Sequence, residues 1–333
     1  MKTDNIRGRL LMVLELLKLN SDSEHPMSSA EILEQLEKDG IEAERKSIYR
    51  DIEALRDFGF DIVLTGTPKR GFYLATRDFD LPEVSLLIDA VQSAGFIPKK
   101  STERLVKKLQ GLTSCHQAKE LKERVCIDNR SKSTNESVYD IIELLNEAIK
   151  SQHKVKIKYA KNRLNGSTLV STVKEMVVSP YALLWESDRY YLIGNNKKYD
   201  NLTHLRIDRM LEVSVCREKW RHFSEVSEYK QRFDTADYAK KTFNMFGGEK
   251  QRIDLECKIE LLDQITDRFA NGIFIRHSGN EPTFRFSTDA LVSDGLVGWL
   301  MQFGGDIKVL SPETLKQRVL ADAEKLIEVY NNK

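Results

Sequence analysis

The chain is poor in the residues that build covalent or metal-bound frameworks. Its four cysteines, Cys115, Cys126, Cys216 and Cys257, include no C-x-x-C pair, which argues against a zinc module and a disulfide framework and leaves buried free thiols as the expectation. No apolar run approaches the roughly 18 residues that span a bilayer. The start, MKTDNIRGRL, lacks the apolar core of a secretory signal, so a cytoplasmic location is expected. Catalytic signatures are missing too: there is no G-x-x-x-x-G-K-[ST], no G-x-G-x-x-G after a strand, no G-x-S-x-G and no H-E-x-x-H. His25, His116, His153, His204, His222 and His277 are dispersed, and none has a cysteine or carboxylate at ligand spacing beyond what chance supplies. Catalysis is therefore the weaker class, and neither a metal nor a cofactor is expected.

What is present is a chain of 333 residues, 41% apolar and 31% charged, a balance that suits globular domains. The length exceeds the roughly 250 to 300 residues at which single cores stop growing, so two or three domains are expected. Net charge is only +1 but unevenly spread. Residues 151–216 hold eleven lysines and arginines against six acids, whereas residues 1–76 hold eleven against fourteen. One segment is basic.

Near the amino terminus, Ile6, Leu10, Val13, Leu14 and Leu17 recur at helical spacing. Ser28 to Glu31 has capping-box spacing, followed by Ile32, Leu33 and Leu36 and by Gly40 as a stop. In ERKSIYRDIEALRDFGF, Ile48, Ile52 and Leu55 form a buried stripe while the other faces begin basic. Ile62 and Leu64, a turn holding Lys69 and Arg70, then Phe72 to Leu74 predict a β-hairpin. Three short helices and a hairpin fit a winged helix-turn-helix over residues 1–76, whose third helix enters the major groove. Its cations gather at Arg45, Lys46, Arg50, Lys69 and Arg70. The alternative is a solvated helix with ordinary charges. The string SIYRDIEALRDFG resembles the third helix of DeoR-like bacterial regulators. That resemblance implies that Ser47, Tyr49 and Arg50 face DNA and that Asp51 is structural.

Residues 77–144 read as a helical linker, whose last helical run continues to about residue 150 with a stripe of Ile141, Ile142, Leu144, Leu145, Ala148 and Ile149 that must pack on a neighbour, within the chain or in a second subunit. A homodimer is expected, because winged-helix operators usually pair with dimers.

Residues 145–216 carry several alternating runs. In HKVKIKYA, Val155, Ile157 and Tyr159 alternate with Lys154, Lys156 and Lys158, and about five short strands suggest a small β-barrel. Downstream, His204 and Arg206 share strand parity, and Arg209 follows where the strand ends. With nearby tyrosines they offer donors and stacking surfaces suited to a phosphate-bearing or single-stranded nucleic-acid ligand. The alternative is that Arg206 and Arg209 pair with Asp208 or Glu212. SPYALLWESDRYYLIG followed by HLRIDRM resembles the WYL domain, an Sm-like barrel, with the triplet standing as Tyr190-Tyr191-Leu192. The resemblance implies a ligand-sensing surface of Ser179, Tyr181, Tyr191, His204, Arg206 and Arg209, and an anionic, nucleic-acid or nucleotide-like effector.

After a connector, residues 217–244, the remainder 245–333 alternates strands and helices. Ile253, Leu255, Cys257 and Ile259 form one half-buried strand, and the order βαββαβ suggests a ferredoxin-like unit. GWLMQFGGDIKVLSP resembles the extension that commonly follows WYL domains; Trp299 is assigned to its core. The reading is an α+β multidomain, ligand-responsive regulator that binds duplex operator DNA. The other class is an adaptor whose barrel binds RNA or single-stranded DNA without operator binding.

Overall fold

The computed structural model describes residues 4–124, 132–165, 168–186, 188–269, 274–277 and 282–331. It is a mixed α and β structure with antiparallel sheets, divided into two compact units, residues 1–134 and 135–333. Cys126, Ser187 and the ends of GIFIRHS lie outside the described residues. Among the described residues, no helix is long and apolar enough to cross a membrane and no three His, Cys, Asp or Glu side chains gather to hold a metal ion.

The first unit opens with α1 (Asp4–Asn20), α2 (Ser29–Lys38) and α3 (Arg45–Asp57), then a hairpin of β1 (Ile62–Thr65) and β2 (Gly71–Leu74). Val13, Leu17, Ile32, Leu36, Ile48, Ile52, Leu55 and Phe72 close one core among them. The α2 start is a full capping box, in which Ser28 Oγ accepts from the Glu31 amide and the Glu31 carboxylate accepts from the Ser28 amide. Helices α2 and α3 end alike. Gly40 and Gly59 take left-handed φ of 77° and 98°, and the next residues, Ile41 and Phe60, donate back to Leu36 and Leu55. These are Schellman turns, which only glycine enters without cost. The hairpin pairs Ile62 with Leu74, and Met27 bridges to Phe72 along its inner edge.

Helices α4 (Leu81–Ser93), α5 (Lys99–Gln110) and α6 (Cys115–Arg124) complete this unit, with Val84, Ile88 and Leu121 as a satellite core. The expected linker is thus not one body, because its last helix, α7 (Val138–Ser151), belongs to the second unit. There α7 buries Val138, Ile141, Leu145 and Ala148 against the sheet of its own unit, so the stripe finds its neighbour within the chain.

That sheet has five antiparallel strands in the order β6-β5-β4-β3-β7: β3 (His153–Asn165), β4 (Thr168–Glu186), β5 (Arg189–Asn196), β6 (Thr203–Arg206) and β7 (Met210–Lys219). Val155, Ile157, Val178, Leu192, Leu205, Ile207 and Met210 are fully or nearly buried on its inner side. The segment 217–244, with α8 (Thr235–Lys241), folds over the other side.

The chain ends in β8 (Glu249–Lys258), α9 (Leu262–Arg268), β9 (Phe274–His277), β10 (Thr283–Val292), α10 (Asp294–Met301), β11 (Ile307–Ser311) and α11 (Glu313–Asn331). Strand order is β11-β8-β10-β9, so β10 lies between β8 and β9. Ile253, Leu255 and Cys257 are fully buried, but Ile259 leaves the strand in a short 3-10 turn and is exposed. Trp299 packs against the core among Phe243, Phe269 and Phe303. Of the thiols, Cys257 is buried, Cys216 half-buried and Cys115 exposed, so burial does not extend to Cys115, which opens a surface helix.

Candidate functional site

Helix α3 has an anchored side and an open side. Ile48, Ile52 and Leu55 are at most 2% exposed, and Asp51 between them is held by the Arg9 guanidinium at 2.6 and 3.1 Å. This bidentate pair fixes the rotation of the helix about its axis. Arg45, Lys46 and Arg50 are consequently left exposed, with Ser47 half-buried beside them. The first turn of α3 contains two cations, no acid and no side-chain cap. Positive charge at a helix amino terminus opposes the macrodipole, an arrangement that an approaching anion relieves.

The remaining members of the set are more engaged. Tyr49 lays its ring edge-on to Phe72 at 5.5 Å. Its hydroxyl meets Arg45 and Ser29, and the Arg45 contact holds the phenol below its ordinary range. Arg70 is exposed at the hairpin tip, but Lys69 binds the Glu31 carboxylate at 2.5 Å. That contact, with the Ser28 cap, holds Glu31 below the usual carboxylate range. A groove of about 290 Å³ runs between Ser29, Arg45, Tyr49, Arg70 and Phe72. Helix, cap and hairpin therefore meet at one surface, with one of its five cations internally neutralised.

The second residue set separates into two places. Tyr191 stands opposite Arg206 across β5 and β6, so both share a face. Arg206 makes a bidentate pair with Asp208 at 3.0 and 2.5 Å, which raises its guanidinium further, and Arg189 approaches the same carboxylate at 3.8 Å. Tyr159 accepts from the Arg206 amide at 3.2 Å, and burial pushes both the Tyr159 and Tyr191 phenols up. Arg209 is half-buried beside them, and Glu212 is spent on Lys158 at 2.7 Å. Of the alternative pairings, Arg206 with Asp208 is the one that forms.

Ser179, Tyr181 and His204 lie elsewhere, under the segment 217–244. Ser179 Oγ accepts from the Arg221 amide at 2.9 Å, and the Tyr181 hydroxyl donates to the Arg221 carbonyl at 2.7 Å. Both residues are buried, Tyr181 among Trp220, Phe223 and Phe233, and burial lifts its phenol to about 12. His204 Nε2 meets the Tyr238 hydroxyl at 2.7 Å, and burial depresses the imidazole to about 4. These three therefore fasten the covering segment to the sheet.

A cleft of about 700 Å³ opens beside that fastening, lined by Thr203, His204, Glu228, Tyr229, Tyr238 and Lys250. Glu228 joins Lys241 and Lys250 at 2.9 and 2.7 Å, and Tyr229 donates to Asp237 at 2.6 Å. Sequence reasoning missed Glu228, Tyr229 and Tyr238 by treating 217–244 as a plain connector. The signal available was its aromatic density: Trp220, Phe223, Tyr229, Phe233, Tyr238 and Phe243 are too many for a solvated link. It also missed the stacked pair His25 and His116, whose ring centroids are 3.9 Å apart.

Comparison with known proteins places a WYL domain at residues 140–215 and a WCX domain at residues 249–327. Among solved structures, the chain is similar to proteasome accessory factor B/C (PafBC) of Arthrobacter aurescens, at 16% identity over 98% of this chain and 49% of that one, with a TM-score of 0.29. It is also similar to a CRISPR Cas-related protein, at 16% identity over 98% of this chain and 85% of that one, with a TM-score of 0.36. The chain spans about half the length of PafBC. No match is found among curated protein sequences.

Proposed function

For a chain that carries a WYL domain followed by a WCX domain, we propose the function of a non-catalytic, ligand-responsive transcription regulator that binds duplex DNA through α3 and the β1–β2 hairpin. The observation that carries this reading is the open side of α3. Arg45, Lys46 and Arg50 are exposed around an uncapped helix start, while Arg9 and Asp51 hold the opposite side in place. A cation-rich helix start costs local stability, and phosphate contact returns it.

On this reading the first three helices and the hairpin are a winged helix-turn-helix. The five-stranded sheet is read as an Sm-like barrel, and the order β11-β8-β10-β9 supports reading the last domain as ferredoxin-like. The effector is anionic and meets the Tyr191, Arg206 and Arg209 surface, where Arg206 and Arg189 are held ready on Asp208. Two subunits act on paired half-sites, and the effector shifts the population of geometries in which both can bind.

The test is fluorescence anisotropy of duplex DNA from upstream of the gene against scrambled duplex, over a range of salt concentrations. The wild type is expected to prefer the upstream duplex. The Lys46→Ala, Arg50→Ala double variant is expected to lose that preference and to lower the salt slope by up to about 2, roughly 0.9 for each lost phosphate contact. Equal slopes and equal preference in both proteins would overturn the reading. Binding confined to single strands would favour the adaptor instead.

A further inference from the structure

The charge excess of residues 151–216 is not spread over the sheet. The three lysines that alternate along β3 are each answered by an acid: Lys154 by Glu218 at 2.7 Å, Lys156 by Glu175 at 2.8 Å and Lys158 by Glu212 at 2.7 Å. Arg189 and Arg206 share Asp208. Cations without an acid partner among the described residues include Lys161 and Arg163, which lie beyond the body of the sheet, and Lys174, which lies at its margin.

Strands β3 and β4 outrun their neighbours. β7 pairs with β3 only as far as Tyr159, and β5 pairs with β4 only from Val178 onward. Between them, residues 160–165 and 168–173 form a two-stranded antiparallel ribbon with no further strand on either edge among the described residues, and Lys174 stands at its base opposite Tyr159. At about 3.4 Å per residue it reaches some 20 Å past the last β7 pairing. From Tyr159 to Lys174 the sequence contains no acid.

Register sorts the ribbon into two unlike faces. Tyr159 pairs with Lys174, Lys161 with Thr172 and Arg163 with Val170, so the three cations stand on one side, and each is exposed. Ala160 with Val173, Asn162 with Ser171 and Leu164 occupy the other, where Leu164 is 75% and Val173 55% exposed. A free ribbon with two open edges is an aggregation hazard, and lysines on edge strands are a common defence. Defence alone does not require three cations on one face with no acid among them. Successive same-face residues stand about 6.7 Å apart along a strand. The B-DNA major groove, about 12 Å wide, admits a two-stranded ribbon.

We propose that the β3–β4 ribbon is a duplex-DNA contact separate from the winged-helix surface, with Lys161, Arg163 and Lys174 set against phosphates. It confers affinity without sequence preference, because phosphate contacts position a protein but carry no base information. The proposal does not depend on the reading of α3.

The experiment titrates scrambled duplex, upstream duplex and single strands with the full chain over a salt series. A Lys161→Gln, Arg163→Gln, Lys174→Gln variant is expected to bind both duplexes more weakly by the same factor. Its salt slope should fall by about 2 to 3, at roughly 0.9 per contact. A second variant, Thr172→Glu, keeps every cation but sets an acid opposite Lys161, and should weaken duplex binding in the same direction. Far-UV circular dichroism and tryptophan emission report folding; should the triple variant misfold, Thr172→Glu decides. An unchanged duplex slope in the folded variant, or a loss confined to single strands, would overturn the proposal, as would a wild type without duplex affinity. A wild type that binds scrambled duplex through the ribbon yet does not prefer upstream DNA would sustain the ribbon and remove the regulator reading.

Discussion

Burial of His204 against Tyr238 lowers its imidazole from 6.5 to about 4, so the folded chain binds that proton less tightly than the unfolded chain. The contribution to stability is fully present above the unfolded value and is lost as pH falls from about 6.5 to about 4, because the unfolded state takes up more protons across that window. The denaturant midpoint followed by tryptophan emission should therefore fall more for wild type than for His204→Gln between about pH 7 and about pH 5. Equal falls would mean that the imidazole is hydrated in solution. The same residue marks a limit of sequence reading. Strand parity correctly set His204 and Arg206 on one face, yet parity does not say what covers that face. His204 sits under the segment 217–244, whereas Arg206 stands with Asp208 and Tyr191. Ser179 and Tyr181 carry the same lesson, being polar in composition but buried by partners some 40 residues away.

At the scale of elements, local signals were the most legible. The capping box at Ser28 and Glu31, the stop at Gly40 and the buried stripe of α3 stand where spacing alone put them. Each is decided within one or two helical turns. What spacing could not disclose is that Glu31 has a second task, since its other carboxylate oxygen holds Lys69 at the hairpin tip. Glu31→Gln keeps the capping geometry and removes the charge. It is expected to free Lys69 and steepen the salt slope of duplex binding by about 0.9, one added phosphate contact. Helix stability should change less than the roughly 1 kcal/mol lost with Ser28→Ala. A slope identical to wild type would show that Lys69 does not reach DNA. The lysines of β3 were also visible in sequence as a basic face, but their pairing with Glu218, Glu175 and Glu212 was not, because those acids come from other strands.

Across the whole molecule, the division at residue 134 has a direct optical consequence. All three tryptophans, Trp185, Trp220 and Trp299, belong to the second unit, whereas helices are present in both. Tryptophan emission should report unfolding of residues 135–333 alone, while far-UV circular dichroism reports both units. The two denaturation curves are expected not to coincide. Coincident curves would mean that the units unfold as one cooperative body. The amino-acid sequence by itself determined the three helices and the hairpin of residues 1–76, the cap at Ser28, the stop at Gly40 and the basic character of residues 151–216. These follow from periodicity, turn chemistry and composition, which act over a few residues. Tertiary structure alone decided which charges stay open. Pairing across strands cancels Lys154, Lys156 and Lys158 and leaves Lys161, Arg163 and Lys174 open, and the aromatic segment 217–244 covers Ser179, Tyr181 and His204. Charge neutralisation and burial depend on neighbours that only folding brings within reach.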